Sequence, residues 1–128
     1  MSLENIEIVR SLFERYERRD YDAALECLDP EVVYETGQEL PAIGREAVRR
    51  MWERWGDAWD EMATITGEYV DSGDHVLATV TYSGRGRASG IQHDDVLFDV
   101  YTFRNGLCVR KQEFREQSEA RRAAGLGD

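Results

Sequence analysis

The stretch DVLFDVYTFRNGLCVRKQE, residues 95–113, contains the pattern that decides the fold. In its middle stands Asn105-Gly106, a pair that favours a two-residue hairpin turn because both positions of that turn need a positive φ. Runs rich in β-branched and aromatic residues lie on either side of the pair. The sequence therefore predicts two antiparallel strands, over residues 91–104 and 107–116, joined by this turn.

Two more β-rich runs precede this hairpin. They cover residues 62–71 and 75–83, and the segment Asp71-Ser72-Gly73-Asp74 between them has the composition of a turn. A looser turn that contains Arg85 and Gly90 connects the second run to the hairpin. The second half of the chain is therefore predicted to form four strands in antiparallel succession.

The first half of the chain shows helical periodicity. Apolar side chains recur at intervals of three and four residues between Ile6 and Tyr16, which indicates an amphipathic helix. Asp20 is a suitable cap for a second, shorter helix, and Asp29-Pro30 is expected to end that helix. Residues 31–36 are then predicted to form a short strand.

A third helix is predicted to begin near Arg45, and a polar last helix to cover residues 117–124. Trp52, Trp55 and Trp59 recur at helical spacing, so they are expected to form one stripe that packs against the sheet, largely in the core. The sequence contains no repeat or linker. Residues 1–128 are therefore predicted to form a single α+β domain.

The composition argues against several classes of function. The chain of 128 residues has a formal net charge of −10, and an acidic chain without a basic face repels nucleic acid. It shows no apolar run of membrane-spanning length and no secretory signal, so a cytoplasmic protein is expected. Cys27, Cys108 and the two histidines have no metal-ligand spacing. We expect neither a metal site nor a cofactor.

Four phrases follow one another along the chain: RDYDAAL at 19–25, DPEVVY at 29–34, GREAV at 44–48 and YTFRNG at 101–106. With their order and spacing, the chain resembles the SnoaL-like family of the nuclear transport factor 2-like and ketosteroid isomerase-like superfamily. The resemblance implies a cone-shaped, curved, mostly antiparallel sheet, closed by three N-terminal helices around one pocket, as in a cystatin-like α+β roll. It also implies a homodimer formed through the outer face of the sheet.

Side chains alternate between the two faces of a strand, so Asp99 and Tyr101 are expected on one face. The resemblance places Asp99 where ketosteroid isomerases hold a protonated oxyanion-hole aspartate, and Glu35 near their general base. Burial among aromatic side chains disfavours a charged carboxyl, which becomes a hydrogen-bond donor or a stronger base. Glu35 and Asp99 are therefore the predicted catalytic residues. The predicted substrate-binding residues are Tyr16, Trp55, Tyr101 and Glu113.

The last strand introduces an alternative for these carboxyl groups. Lys111, Glu113 and Arg115 alternate onto one face of it. If that face lines the cavity, Lys111 or Arg115 would neutralise Asp99 or Glu113, and the buried ion pair would be structural. Arg115 is nearer the strand end, where a charge at the rim of the cavity is more typical.

The sequence leaves two functions open. The first is a cofactor-free isomerase, cyclase, dehydratase or hydrolase that acts on a small lipophilic metabolite by carboxyl acid–base chemistry. The alternative is a non-catalytic module that binds a ligand or assembles as a dimer. In both cases the expected partner is a small apolar or semi-polar molecule, with no role for nucleic acid or membrane.

Overall fold

The computed structural model describes residues 2–37 and 39–127, with the side chains of residues 4–37, 39–60 and 67–127. Three helices and two strands come first: α1 (Ser2–Glu17), α2 (Tyr21–Leu25), β1 (Leu28–Tyr34), β2 (Ala42–Ile43) and α3 (Arg45–Ala58). Four strands and a last helix follow: β3 (Trp59–Ser72), β4 (His75–Gly86), β5 (Gln92–Arg104), β6 (Leu107–Phe114) and α4 (Gln117–Ala123).

The strands form one curled sheet in the order β2-β1-β6-β5-β4-β3. Neighbouring strands are antiparallel, except β1 and β6, which run parallel. The predicted α+β class with a mostly antiparallel, curved sheet is confirmed. Within the described ranges, no helix combines the length and the apolar character needed to cross a membrane.

The hairpin between β5 and β6 has the predicted geometry. Arg104 pairs with Leu107 across the turn, so the connection consists of two residues. Asn105 has a φ of 54° and Gly106 a φ of 79°, which are the positive values that this tight turn requires. The turn sets the pairing next to it, and a one-residue shift of register follows between Thr102 and Phe103. This shift brings Asp99 opposite Glu113 and Tyr101 opposite Lys111.

Several elements differ from the sequence prediction. The second helix already ends at Leu25, and Pro30 lies inside β1, where the pairing with β6 shifts register and the missing N–H is tolerated. The third helix ends at Ala58, so Trp59 is the first residue of β3, although its spacing continues the helical stripe. The two-residue strand β2 was not predicted, because it is too short to show a period.

The main core lies between the three N-terminal helices and the inner face of the sheet. Val9 and Phe13 of α1 and Trp52 of α3 belong to one cluster with Val80 and Tyr101 of the sheet. Full burial of such side chains contributes about 1.5–3 kcal/mol each. The amphipathic stripes of α1 and α3 are therefore what holds the helices over the inner face.

The outer face of the sheet is partly covered by the chain itself. Ala120 and Ala124, on and just after α4, pack in a second buried cluster with Leu77 and Val100. Val96, further along β5 on the same face as Val100, is 53% exposed. The last helix therefore occupies part of the surface that the resemblance assigns to a second subunit, and leaves another part open.

Candidate functional site

A cavity of about 200 Å³ lies between the helices and the inner face of the sheet and opens to solvent on one side. Its surface is mainly apolar, and eight of the lining residues are aromatic: Phe13, Tyr16, Tyr34, Trp52, Trp55, Trp59, Tyr82 and Tyr101. The polar and charged lining residues are Thr36, Glu39, Ser83, His93, Asp95, Lys111 and Glu113. An apolar pocket with a few convergent polar groups is the usual form of a small-molecule site.

Exposure separates the charged lining residues into two groups. The side chains of Lys111 and Glu113 are 1% and 10% exposed, whereas those of Glu39 and Asp95 are 39% and 51% exposed. We therefore call Glu39, Asp95 and the exposed His93 the rim of the cavity. Lys111 and Glu113 belong to its inner end.

Lys111 holds two carboxyl groups at the inner end. Its Nζ donates a hydrogen bond to Glu113 Oε1 at 3.1 Å and lies 3.8 Å from Asp99 Oδ1. The same Nζ lies 4.8 Å from the centre of the Tyr34 ring, within the range of a cation–π contact. We call Asp99, Lys111 and Glu113 the inner charge cluster; it contains one basic and two acidic groups.

Asp99 is fully buried and belongs to the wall without lining the cavity. Its Oδ2 accepts hydrogen bonds from Tyr82 at 2.6 Å and from Tyr101 at 3.5 Å, and both tyrosines do line the cavity. Its Oδ1 has no hydrogen-bond partner among the described residues. Asp99 therefore orients two lining hydroxyl groups and Lys111 from behind the cavity surface.

The pKa values of the inner charge cluster follow from burial and from its own charges. Burial raises the pKa of Asp99 and of Glu113 above the ordinary values, although the ammonium of Lys111 opposes this. Burial alone would lower the pKa of Lys111, but Asp99, Tyr34 and Glu113 outweigh it and raise that pKa. Lys111 therefore stays charged, and the carboxyl groups hold a proton more readily than exposed ones.

Glu35 does not lie where the sequence prediction placed it. Its backbone N–H donates to Lys111 O at 2.8 Å, so the strand alternation continues past the end of β1. Tyr34 and Thr36 consequently point into the cavity, and Glu35 points to the other side. There its Oε2 accepts a hydrogen bond from Arg110 Nε at 2.6 Å. The expected convergence of Glu35 and Asp99 in one chamber does not occur.

The four residues predicted to shape the pocket all line it: Tyr16, Trp55, Tyr101 and Glu113. The Tyr16 ring stands edge-on to Trp52 with the ring centres 5.3 Å apart, and burial raises the pKa of its hydroxyl. Trp55 Nε1 donates to Glu39 Oε2 at 3.4 Å, which places this tryptophan next to the rim. Their proximity to the cavity is established, and their roles toward a substrate stay predictions.

Sequence reasoning missed several lining residues. Tyr82 faces the cavity because it pairs with Asp95 and so shares the inner face of the sheet with Asp99. Trp59 and His93 meet edge-on with ring centres 5.2 Å apart. The alternation along β4 carried this signal, but only the register with β5 shows which of its two faces is the inner one.

The rim charges have partners of their own. Arg54 Nη2 lies 2.7 Å from Glu39 Oε1, and Arg115 Nη1 lies 3.7 Å from Asp95 Oδ1. Arg115 is therefore the exposed rim charge that its position near the strand end predicted. In the part of the chain that the structure describes, no group of three or more histidine, cysteine or acidic side chains could hold a metal ion.

The sequence and the fold are similar to those of known proteins. The family model of the SnoaL-like domain matches residues 9–111. No curated protein sequence matches the chain. An NTF2-like protein of unknown function from Burkholderia pseudomallei K96243 has a similar structure, with a TM-score of 0.81, 21% identity, and coverage of 93% of this chain and 95% of that one.

Two further solved structures show the same fold. A proposed SnoaL-like polyketide cyclase from Jannaschia sp. CCS1 has a TM-score of 0.81 and 16% identity, over 88% of this chain and 85% of that one. A protein with a ketosteroid isomerase-like fold from Catenulispora acidiphila DSM 44928, solved in complex with trimethylamine, has a TM-score of 0.78 and 16% identity, over 94% and 93% of the two chains. At these identities the likeness concerns the fold alone.

Proposed function

The chain belongs to the SnoaL-like domain family, and from this premise we propose that it binds a small, largely apolar molecule and acts on it by acid–base chemistry through Glu113. The observation that carries the proposal is the position of Glu113. It lines an aromatic cavity, and Lys111 holds it from the buried side. A carboxyl in such a place, with a raised pKa, has the properties of a general base or acid.

The inner charge cluster supports a simple proton cycle. Glu113, as a carboxylate, accepts a proton from a carbon acid, a hydroxyl group or a water molecule at the inner end of the cavity, and the resulting carboxylic acid returns it to the product. The ammonium of Lys111 favours negative charge that develops nearby. Asp99 is a positioning residue, since it holds Tyr82 and Lys111 and does not line the cavity. Isomerisation, cyclisation, dehydration and hydrolysis all fit this cycle, which needs no cofactor.

The cavity limits the size of the molecule. Its volume of about 200 Å³ is only slightly larger than an engineered cavity of about 150 Å³ that binds benzene. One substituted ring fills the enclosed part. Any larger portion of a ligand has to extend past Glu39 and Asp95 at the rim, where the cavity is open.

A probe reaction tests the role of Glu113. 5-Nitrobenzisoxazole is a small aromatic ring that opens to a phenolate when a base removes its one acidic C–H proton, and the product is followed by absorbance. We expect the protein to accelerate this opening and Glu113→Gln to reduce kcat at least about tenfold, because an amide cannot accept the proton. Glu116→Gln, the same change at an exposed position, is the control. Equal rates for the protein and Glu113→Gln would overturn the proposed role.

One observation favours the non-catalytic alternative. Both carboxyl groups of the inner charge cluster lie near Lys111, an arrangement that a structural ion pair also explains. In that case the cavity binds its ligand, Glu113→Gln changes affinity, and no variant changes the rate of the probe reaction. Titration calorimetry with a small aromatic compound measures the affinity, and the kinetic assay measures the rate. The two measurements together separate binding from catalysis.

We also propose that the chain forms a homodimer through the uncovered part of the outer sheet face. Phe98 and Phe114 lie opposite each other on this face, half-buried against the cluster that contains Ala120 and Ala124, and Val96 beyond Phe98 is 53% exposed. A second copy would cover these side chains. We expect a dimer in sedimentation at micromolar concentration and a monomer for Val96→Asp. A monomer for the unchanged protein would contradict the proposal.

A further inference from the structure

We propose that the cavity selects an organic ammonium ion, a protonated or quaternary amine with a small apolar body. This inference rests on the proposed binding function and names the chemical class of the ligand. It follows from two features of the wall that do not depend on each other. One is the balance of charge at the inner end of the cavity, and the other is the aromatic surface around it.

The inner charge cluster has more negative than positive groups. One ammonium, Lys111, lies 3.1 Å from Glu113 and 3.8 Å from Asp99. When both carboxyl groups are ionised, the cluster carries an excess negative charge in a place with little water to stabilise it. A ligand cation next to Glu113 would neutralise that excess.

The rim adds no positive charge that would reverse this balance. Glu39 lies against Arg54 and Asp95 against Arg115, so the two carboxylates and two guanidinium groups there compensate each other. The chain as a whole has a net charge of −10, which raises the local concentration of cations and lowers that of anions. The excess charge at the inner end therefore decides the selectivity.

The aromatic wall suits the same ligand. The faces of aromatic rings attract cations, and they attract weakly hydrated organic ammonium ions without the cost of a strongly bound water shell. Lys111 already shows this contact in the wall, since its Nζ lies over the face of Tyr34. Tyr16, Trp55 and Tyr82 also line the cavity with aromatic rings.

Lys111 does not make the cavity a site for anions. Its side chain is 1% exposed, and its ammonium is already shared between Glu113, Asp99 and the Tyr34 ring. An anion placed beside Lys111 would be the third negative charge within a few ångströms. Repulsion from the two carboxylates would then offset the attraction of the one ammonium.

Three probes of the same shape test the proposal by their charge alone. Phenyltrimethylammonium, tert-butylbenzene and benzenesulfonate each join one phenyl ring to one tetrahedral group, with charges of plus one, zero and minus one. We expect phenyltrimethylammonium to bind at least about tenfold more tightly than tert-butylbenzene, and benzenesulfonate more weakly than either. Affinity is measured by titration calorimetry or by NMR shift changes at low ionic strength.

Two variants assign the effect to the inner charge cluster. Glu113→Gln is expected to reduce the preference for the cation over tert-butylbenzene to about threefold or less, because it removes the excess charge while leaving the ring surface. Glu116→Gln makes the same change on an exposed residue outside the cavity and should keep the preference. Circular dichroism of both variants confirms that they fold.

The outcomes distinguish this inference from the proposed function. If tert-butylbenzene or benzenesulfonate binds as tightly as the cation, the ammonium selectivity is wrong and the binding function stands. If the preference survives in Glu113→Gln, the inner charge cluster is not its cause and the inference fails. If none of the three probes binds at millimolar concentration, the binding function and the ammonium selectivity are both overturned.

Discussion

Two adjacent residues of β6 make ion pairs on opposite sides of the sheet. Arg110 pairs with Glu35 on the outside at 2.6 Å, with side chains that are 48% and 30% exposed. Lys111 pairs with Glu113 on the inside at 3.1 Å, with side chains that are 1% and 10% exposed. The outer pair is shorter, yet the inner one is surrounded by protein. The pair with the shorter distance is thus the one that is more exposed to water.

Exposure to water should matter more than the distance between the partners for what each ion pair contributes. Water screens the outer pair and competes for both of its partners, so such pairs usually contribute about 0–1 kcal/mol. The inner pair interacts more strongly in a medium of lower dielectric constant, and its charges have lost their hydration. Removal of one inner partner leaves the others buried without compensation. The inner pair is therefore where a substitution has large consequences for stability and for chemistry.

The largest expected effect is that of Lys111→Met. Loss of the ammonium leaves Asp99 and Glu113 buried near each other without a counter-charge, and we expect the free energy of unfolding at pH 7 to fall by about 3–5 kcal/mol. Arg110→Met, one residue earlier on the same strand, is the control and should cost about 0–1 kcal/mol. Urea denaturation measures both.

A second variant separates the loss of the Lys111 charge from the loss of its packing. Lys111→Met combined with Asp99→Asn and Glu113→Gln keeps similar shapes and removes every charge of the inner charge cluster. We expect it to be more stable than Lys111→Met alone, because a neutral cluster needs no counter-charge. If it is equally unstable, the packing of the lysine side chain matters and its charge does not.

The same contrast shows what the sequence was able to predict. The turn between β5 and β6 follows from Asn105-Gly106, but the register shifts by one residue between Thr102 and Phe103, and this shift places Lys111 and Glu113 on the face of Tyr101. The sequence showed the turn and the alternation along each strand, and it did not show the shift. The prediction that Tyr101 and Glu113 line the cavity rested on the resemblance together with this alternation.

The position of Glu35 was not predictable in the same way. Residues 31–36 carry apolar side chains on both faces, and β1 pairs with β6 in parallel, without a turn that fixes its register. Only the folded sheet shows that Tyr34 faces inward and Glu35 outward. For the same reason the sequence did not show which partner Lys111 would choose, since Asp99 and Glu113 were both within reach of its face.

A smaller effect is expected in the dependence of stability on pH. Burial raises the pKa of Glu113 above its ordinary value of 4.5, and the charge of Asp99 raises it further. Lys111 and Arg115 lower this pKa, but they do not outweigh the burial. The folded state therefore binds this proton more tightly than the unfolded state. The resulting stabilisation is complete below pH 4.5 and is lost as the pH rises through the folded pKa.

The variant Glu113→Gln isolates this contribution. Between pH 4.5 and pH 7 we expect the free energy of unfolding of the unchanged protein to fall relative to that of the variant, by about 1.4 kcal/mol for each unit by which the pKa is raised. Asp99 is present in both proteins, although its own titration shifts when the neighbouring charge is removed. Thermal unfolding at several pH values measures the difference, and parallel curves would show that Glu113 titrates as it does in the unfolded chain.

The smallest expected effect on stability is that of substitutions in the outer pair. The same variants test whether Glu35 has a role in catalysis. Glu35→Gln and Arg110→Gln, singly and together, form a double-mutant cycle, in which we expect a coupling energy below about 1 kcal/mol that decreases further in added salt. Because Glu35 lies outside the cavity, Glu35→Gln should also leave the ring opening of 5-nitrobenzisoxazole unchanged. A strong coupling would reverse the comparison with Lys111. A loss of activity in Glu35→Gln would return this carboxyl to the catalytic role that its resemblance to the isomerase base suggested.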